Sequence, residues 1–168
     1  MRGYLFDTSV ISALLDRRHD RHFEIRQAVA RFDPAGPQYL SPMSLAETAL
    51  GAFMAEAFQS NDAPRFKRML REAEMYGVLP ITKHTSPVYA RLKTDLAKCY
   101  LAKASRKDRT RWVEDWVDKT TGKKLQIDEN DLWMCAQAKE RDLVLVTADD
   151  RMKKRVSNAD PYVLFLVL

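Results

Sequence analysis

Cysteine is scarce here: Cys99 and Cys135 are the two among 168 residues, and they show neither metal-ligand nor redox spacing. A disulfide framework is not expected, and both read as ordinary reduced thiols of a cytoplasmic protein. Histidine is nearly as scarce. His19, His22 and His84 have no paired spacing, so they read as surface or structural residues. Long apolar runs are missing too. The first residues, "MRGYLF", reach Asp7 too soon to form a secretory leader, and the apolar tail "PYVLFLVL" (161–168) is far too short to span a bilayer. That tail reads as a final buried strand. No internal repeat, low-complexity tract or change of composition divides the chain. One compact domain over residues 1–168 is the expectation, long enough to bury a sizeable core.

What the chain has is a soluble globular composition, 46% apolar and 30% charged, with a net charge of +5 that is unevenly spread. Residues 103–124 hold eight bases (Lys103, Arg106, Lys107, Arg109, Arg111, Lys119, Lys123, Lys124) against four acids (Asp108, Glu114, Asp115, Asp118), which is +4 of that total. A local basic patch suits a polyanion such as nucleic acid. Solvated helices share the same composition, so charge alone does not decide.

Short apolar runs rich in β-formers (3–6, 38–41, 78–81, 143–147, 162–167) alternate with helical patterns (9–15, 23–32, 43–58, 63–76, 86–103, 131–141). That alternation predicts an α/β domain with a mostly parallel sheet. "LVLVT" is unbroken and hydrophobic, as a strand covered on both faces would be. Residues 103–124 stand out as a basic, helical insertion on that body.

In open parallel sheets, functional groups gather at the carboxyl ends of the strands, near the point where strand order reverses. Asp7 ends the first strand. Ser41 is a helix cap with Pro42 behind it, and Glu47 follows in the second turn. Leu45, Ala46, Ala49 and Leu50 are expected to form that helix's buried face. Asp131 opens a helix three residues after Asp128, at capping-box spacing. Asp149 and Asp150 follow the last long strand, where they would serve as turn residues. Each acid has a structural explanation by itself. Together, Asp7, Glu47, Asp131 and Asp149 are expected at one end of the sheet. Like charges about 4 Å apart repel by roughly 4 kcal/mol at an effective dielectric near 20, so such a cluster needs compensation. An all-oxygen donor set selects Mg²⁺ or Mn²⁺, which can activate water for displacement at phosphorus.

Four pieces, "LFDTSVISALL", "SLAETALGAF", "NDLWMCAQA" and "LVLVTADDRM", span residues 4–152 in this order. They resemble the PIN-domain ribonucleases, in particular the VapC-type toxins of bacterial toxin–antitoxin pairs. The resemblance implies a three-layer α/β/α sandwich with a mostly parallel central sheet of four to five strands. It implies metal-dependent endonucleolytic cleavage of RNA, a homodimer, a cognate antitoxin and a cytoplasmic location. Asp7, Glu47, Asp131 and Asp149 match the catalytic acids; Asp7, Asp131 and Asp149 would hold Mg²⁺ (or Mn²⁺), and Glu47 would complete the shell or orient water. Thr8 and Ser9 match the hydroxyl residues after the first acid, and Thr147 the one that steadies the fourth. Asp128 and Asp150 are extra acids, and Asp150 competes with Asp149 for the fourth place.

RNA would cross a basic rim made by Arg106, Lys107, Arg109 and Arg111, with a steep salt dependence. Trp112 and Trp116 are four apart, as are Val113 and Val117, which on a helix gives one apolar stripe. That stripe would stack bases or pack against the body; Trp133 belongs to the core. "LFDTSV" also resembles the nucleophile strand of haloacid-dehalogenase-type phosphatases, but the second acid of that motif is replaced by Ser9. A housekeeping RNA-processing nuclease and a non-catalytic binding module remain alternatives to the toxin.

Overall fold

A computed structural model of the chain describes residues 2–103 and 110–168. Short apolar segments assemble its centre. Tyr4–Phe6 (β1) lies between Gln38–Leu40 (β2) and Val144–Thr147 (β4), with Gly77–Val78 (β3) and Leu164–Val167 (β5) outside them. The order is β3-β2-β1-β4-β5, and every neighbouring pair is parallel. After β3 the chain returns to the far side of β1, so strand order reverses between β1 and β4. Gly3 allows β1 to start where it does: a Cβ there would lie 2.9 Å from the Pro37 carbonyl oxygen.

Successive residues of the central strands point to opposite faces. Leu5 and Leu145 join one core with Leu92, Leu96, Leu132 and Val156; Phe6 and Val146 join another with Val10, Ile11, Ile25 and Leu40. Helices Thr8–Leu15 (α1), His22–Val29 (α2) and Ala63–Ala73 (α4) cover the second core. Helices Thr85–Tyr100 (α5), Glu129–Glu140 (α6) and Asp150–Ala159 (α7) cover the first. The result is the expected three-layer α/β/α arrangement around a five-stranded sheet. Helix Pro42–Ala57 (α3) follows β2 and packs against α1, α4 and α6.

Four local expectations need correction. Helix α7 is absent from the expected set because half of its ten residues are charged and few are apolar; Met152 and Val156, four residues apart, are its buried side chains. Of the expected face of α3, Leu45 packs against the second core and Ala49 is half-buried, but Ala46 and Leu50 are exposed; the buried side chains are Ser44, Ala52 and Ala55. Small residues let α3 lie close to its neighbours, and the large ones, Leu50, Phe53 and Met54, face outward. The tail strand β5 is half-buried, because it is a sheet edge.

The fourth correction concerns the inserted segment. Its described part, 110–124, has a single 3-10 turn, Val113–Asp115, in place of a helix. After it, Val117 pairs antiparallel with Lys124 across a turn in which Asp118 accepts from the Thr120 N–H (2.8 Å) and Gly122 takes a left-handed φ of 68°. Consecutive threonines and a glycine favour such a turn over a helix. The tryptophans therefore separate: Trp116 is 5% exposed and belongs to the core, and Trp112 is 51% exposed. Trp116→Ala should lower stability by about 3–5 kcal/mol in urea unfolding, against less than about 0.5 kcal/mol for Trp112→Ala. Equal effects would mean that the segment does not pack as described.

Candidate active site

At the carboxyl ends of β1 and β4, a cleft is lined by Asp7, Glu47, Asp128, Asp131, Asp149 and Glu114, with Thr8 and Ser9 between them. Asp7 occupies the N-cap position of α1, yet its side chain makes no capping bond. It is committed elsewhere. One carboxylate oxygen accepts from both the Ser9 hydroxyl (2.7 Å) and the Thr147 hydroxyl (2.7 Å), and its backbone N–H donates to the Val146 carbonyl (2.9 Å). Asp7 is buried. Thr147 also accepts from the Asp149 N–H (3.0 Å), and Ser9 from the Ala148 N–H (3.1 Å), so the ends of β1 and β4 are tied together.

Glu47 reaches the cleft from α3. Ser41 caps that helix by accepting from the Met43 N–H (3.1 Å), and buried Ser44 donates to the Phe6 carbonyl (3.2 Å), which fixes the helix against the end of β1. The Glu47 carboxylate accepts from the Thr8 hydroxyl and from the Asn130 side-chain amide (2.6 Å). Asn130 was not singled out from the sequence; its place beside Asp131, within "NDLWMCAQA", was the available sign.

Asp128 and Asp131 form a reciprocal capping box: the Asp131 N–H donates to Asp128 (2.8 Å) and the Asp128 N–H to Asp131 (3.0 Å). Asp131 thus holds the start of α6 and lines the cleft at once. Burial pushes its carboxyl up to about 8, against the Asp128 N–H that favours its ionised form, and the charges of Asp128, Asp7 and Asp149 push the same way. Asp128 is also raised, by burial first and then by Glu47 and Glu114. Asp149 caps α7, accepting from the N–H groups of Arg151 (2.8 Å) and Met152 (3.2 Å). Asp150 is exposed, pairs with Lys154 one turn along, and does not line the cleft.

Glu114 is the other residue missed from sequence. It comes from the inserted segment, and its carboxylate accepts from the Glu129 N–H (3.2 Å). No spacing rule pointed to it, because the basic surroundings made it read as a surface charge. Of the rim bases, Arg106, Lys107 and Arg109 lie outside the described residues, and Arg111 is exposed with its guanidinium 4.7 Å from the Trp112 ring centroid. His19 and His84 are exposed, and His22 is half-buried with Nδ1 2.9 Å from the Ala13 carbonyl.

The donors of the cleft are oxygens throughout, the set that suits Mg²⁺ or Mn²⁺. Among the described residues, no three of the side chains are disposed to hold one ion as they stand. Asp131 is turned to its capping box and Asp149 to α7. The crowding of carboxylates in one cleft is the observation that fits a cation: Asp131, raised by burial first and then by like charges, needs positive charge nearby to ionise at neutral pH.

Asp131 keeps its proton up to about pH 8 in the folded chain and up to about pH 4 once unfolded. Over that window the folded state binds the extra proton, so stability falls as pH rises. In chelator, Asp131→Asn should flatten the urea midpoint across about pH 5 to 8 and be the more stable form at the upper end. A wild-type profile no steeper than the variant's would contradict this environment for Asp131.

Several solved structures share the fold. VapBC-1 from nontypeable Haemophilus influenzae matches with a TM-score of 0.63 at 21% identity, covering 98% of this chain and 96% of that one. FitAcB from Neisseria gonorrhoeae matches with 0.63 at 19%, covering 97% and 96%. VapBC-5 from Mycobacterium tuberculosis matches with 0.61 at 20%, covering 100% of both. At such identities the likeness concerns the fold. No curated protein matches in sequence. The family model for the PIN domain matches residues 4–157. That match runs from β1 into α7 and takes in every acid of the cleft, so this chain belongs to the PIN domain family.

Proposed function

We propose that this protein is a metal-dependent endoribonuclease that acts as the toxin of a toxin–antitoxin pair. The observation that carries the reading is the convergence of Asp7, Glu47, Asp131 and Asp149 on one cleft at the switch point of the sheet. Asp7, Asp131 and Asp149 would hold Mg²⁺ or Mn²⁺, with Asp131 turning away from its capping box. A bound ion supplies charge neutralisation at the phosphate and a more acidic water. Ser9 and Thr147 hold the Asp7 carboxylate in place by donating to it. Thr8 and Asn130 fix the Glu47 carboxylate, which orients water toward the scissile phosphate. The exposed Arg111 would contact the RNA backbone at the rim.

The toxin reading draws on the structural neighbours. VapBC-5 is described as a member of the VapBC family of toxin–antitoxin systems. For this chain, an antitoxin would be a separate polypeptide that silences the cleft. A homodimer is supported by the outer face of α3, where Leu50 (59%), Phe53 (62%), Met54 (49%) and Phe58 (76%) stand exposed at spacings of three, four and eight residues. Gly51 lies on the same helix with open space around it, which permits close approach of a second copy. Among the described residues, no helix is long and apolar enough to cross a membrane.

Purified protein free of antitoxin should cut labelled total RNA into discrete fragments in Mg²⁺ or Mn²⁺ and leave it intact in chelator. Asp7→Asn should lower that cleavage about 100-fold or more while keeping the wild-type circular dichroism. Metal-independent cutting, or full activity in the variant, would sink the mechanism. In light scattering, the wild-type chain should have the mass of a dimer and Phe53→Glu that of a monomer; an unchanged mass would place the interface elsewhere.

A further inference from the structure

The inserted segment brings an aromatic platform to the edge of the acidic cleft. Trp112 is 51% exposed, although Trp116 four residues on is buried. Its neighbours are anchored on both sides of the 3-10 turn. Val113 is fully buried, and its N–H donates to the Glu129 carboxylate (3.1 Å). Glu129 in turn binds Lys93 and the Tyr89 hydroxyl. Burial opposes its ionisation, but these donors outweigh it and hold the carboxyl below its usual value. Trp116 Nε1 donates to the Thr110 carbonyl (3.0 Å), closing the segment on itself. Trp112 therefore rides on a fixed mount, two residues from the cleft-lining Glu114 and so within about 7 Å of it along the backbone.

Arg111 lies over the Trp112 ring at 4.7 Å. A flat aromatic ring beside a guanidinium plane offers stacking surface to an unpaired nucleobase and positive charge to its phosphate. A base already in a duplex is stacked on its neighbours and cannot use that surface. The segment's charge, +4 over 103–124, favours a polyanion over an acid-binding or neutral partner. We propose that Trp112 and Arg111 form a stacking platform for an unpaired base of the RNA next to the cleavage site. The proposal rests on the ribonuclease reading above and adds to it the two residues of the inserted segment that would seat a base at the rim. Because the mount is rigid, little ordering is lost when the base docks.

The test measures binding apart from cleavage. Full-length protein carrying Asp7→Asn is titrated into fluorescein-labelled decameric oligoadenylate, and separately into its duplex with oligouridylate. Adding Trp112→Ala should raise the Kd for the single strand about ten-fold or more. Trp112→Phe should restore most of the affinity, and Arg111→Lys should weaken it, since an ammonium keeps the charge but cannot stack. Duplex affinity should not respond to Trp112→Ala. An unchanged single-strand Kd, or equal losses on single strand and duplex, would overturn the platform. So would a changed oligomeric mass with unchanged Kd, which would assign Trp112 to a protein contact. Cleavage by chains with Asp7 intact separates the two readings. If wild type cuts RNA and Trp112→Ala neither binds more weakly nor raises KM, the platform fails and the nuclease stands. If no chain cuts RNA but Trp112→Ala loses oligoadenylate, the platform stands and the nuclease falls.

Discussion

Two hydroxyl groups donating to one carboxylate hold this molecule's centre together. Asp7 receives Ser9 from its own helix and Thr147 from the neighbouring strand. Those bonds set where β1 stops, where α1 starts, and how β4 ends beside them. They also relieve part of the repulsion that a buried acid feels among other acids. At Asp131, burial first and like charges second outweigh the one donor. Asp131 has the N–H of Asp128 to oppose its burial, and its carboxyl stays raised to about 8.

The acids that line the cleft also do structural service. The capping box of α6 and the N-cap of α7 use Asp128, Asp131 and Asp149, three acids of the cleft. A residue that caps a helix at the carboxyl edge of a parallel sheet already points toward the place where ligands bind in such folds. The structural explanation of each acid and the functional one are thus not rivals. The fold needs caps there, and acids are good caps at helix N-termini.

This is why much of the site was legible in the sequence. Asp7 follows an unbroken apolar strand, Ser41-Pro42 announces α3, and Asp128 and Asp131 carry cap spacing, so the four acids could be assigned to one edge without coordinates. The parallel α/β class followed from the alternation of strands and helices, and the three layers from the family resemblance. What escaped had no periodic sign. Asn130 supports Glu47 across 83 residues of sequence, a partnership that topology alone creates. Glu114 comes from an irregular segment whose path is set by Glu129, Lys93 and Tyr89. Helix α7 was hidden by its charges, because two buried side chains suffice to seat it. The buried face of α3 was read correctly at Leu45 but not at Leu50, because Ser44, Ala52 and Ala55 do the closest packing.

The outward face of α3 has a consequence for control. Glu47 and Leu50 are three residues apart, so they are neighbours on adjacent turns of one helix. The glutamate faces the cleft while the leucine belongs to the bare apolar flank. Whatever covers that flank, a second copy included, leans on the helix that aims Glu47. On the proposed reading, association on that flank and chemistry in the cleft would share one lever.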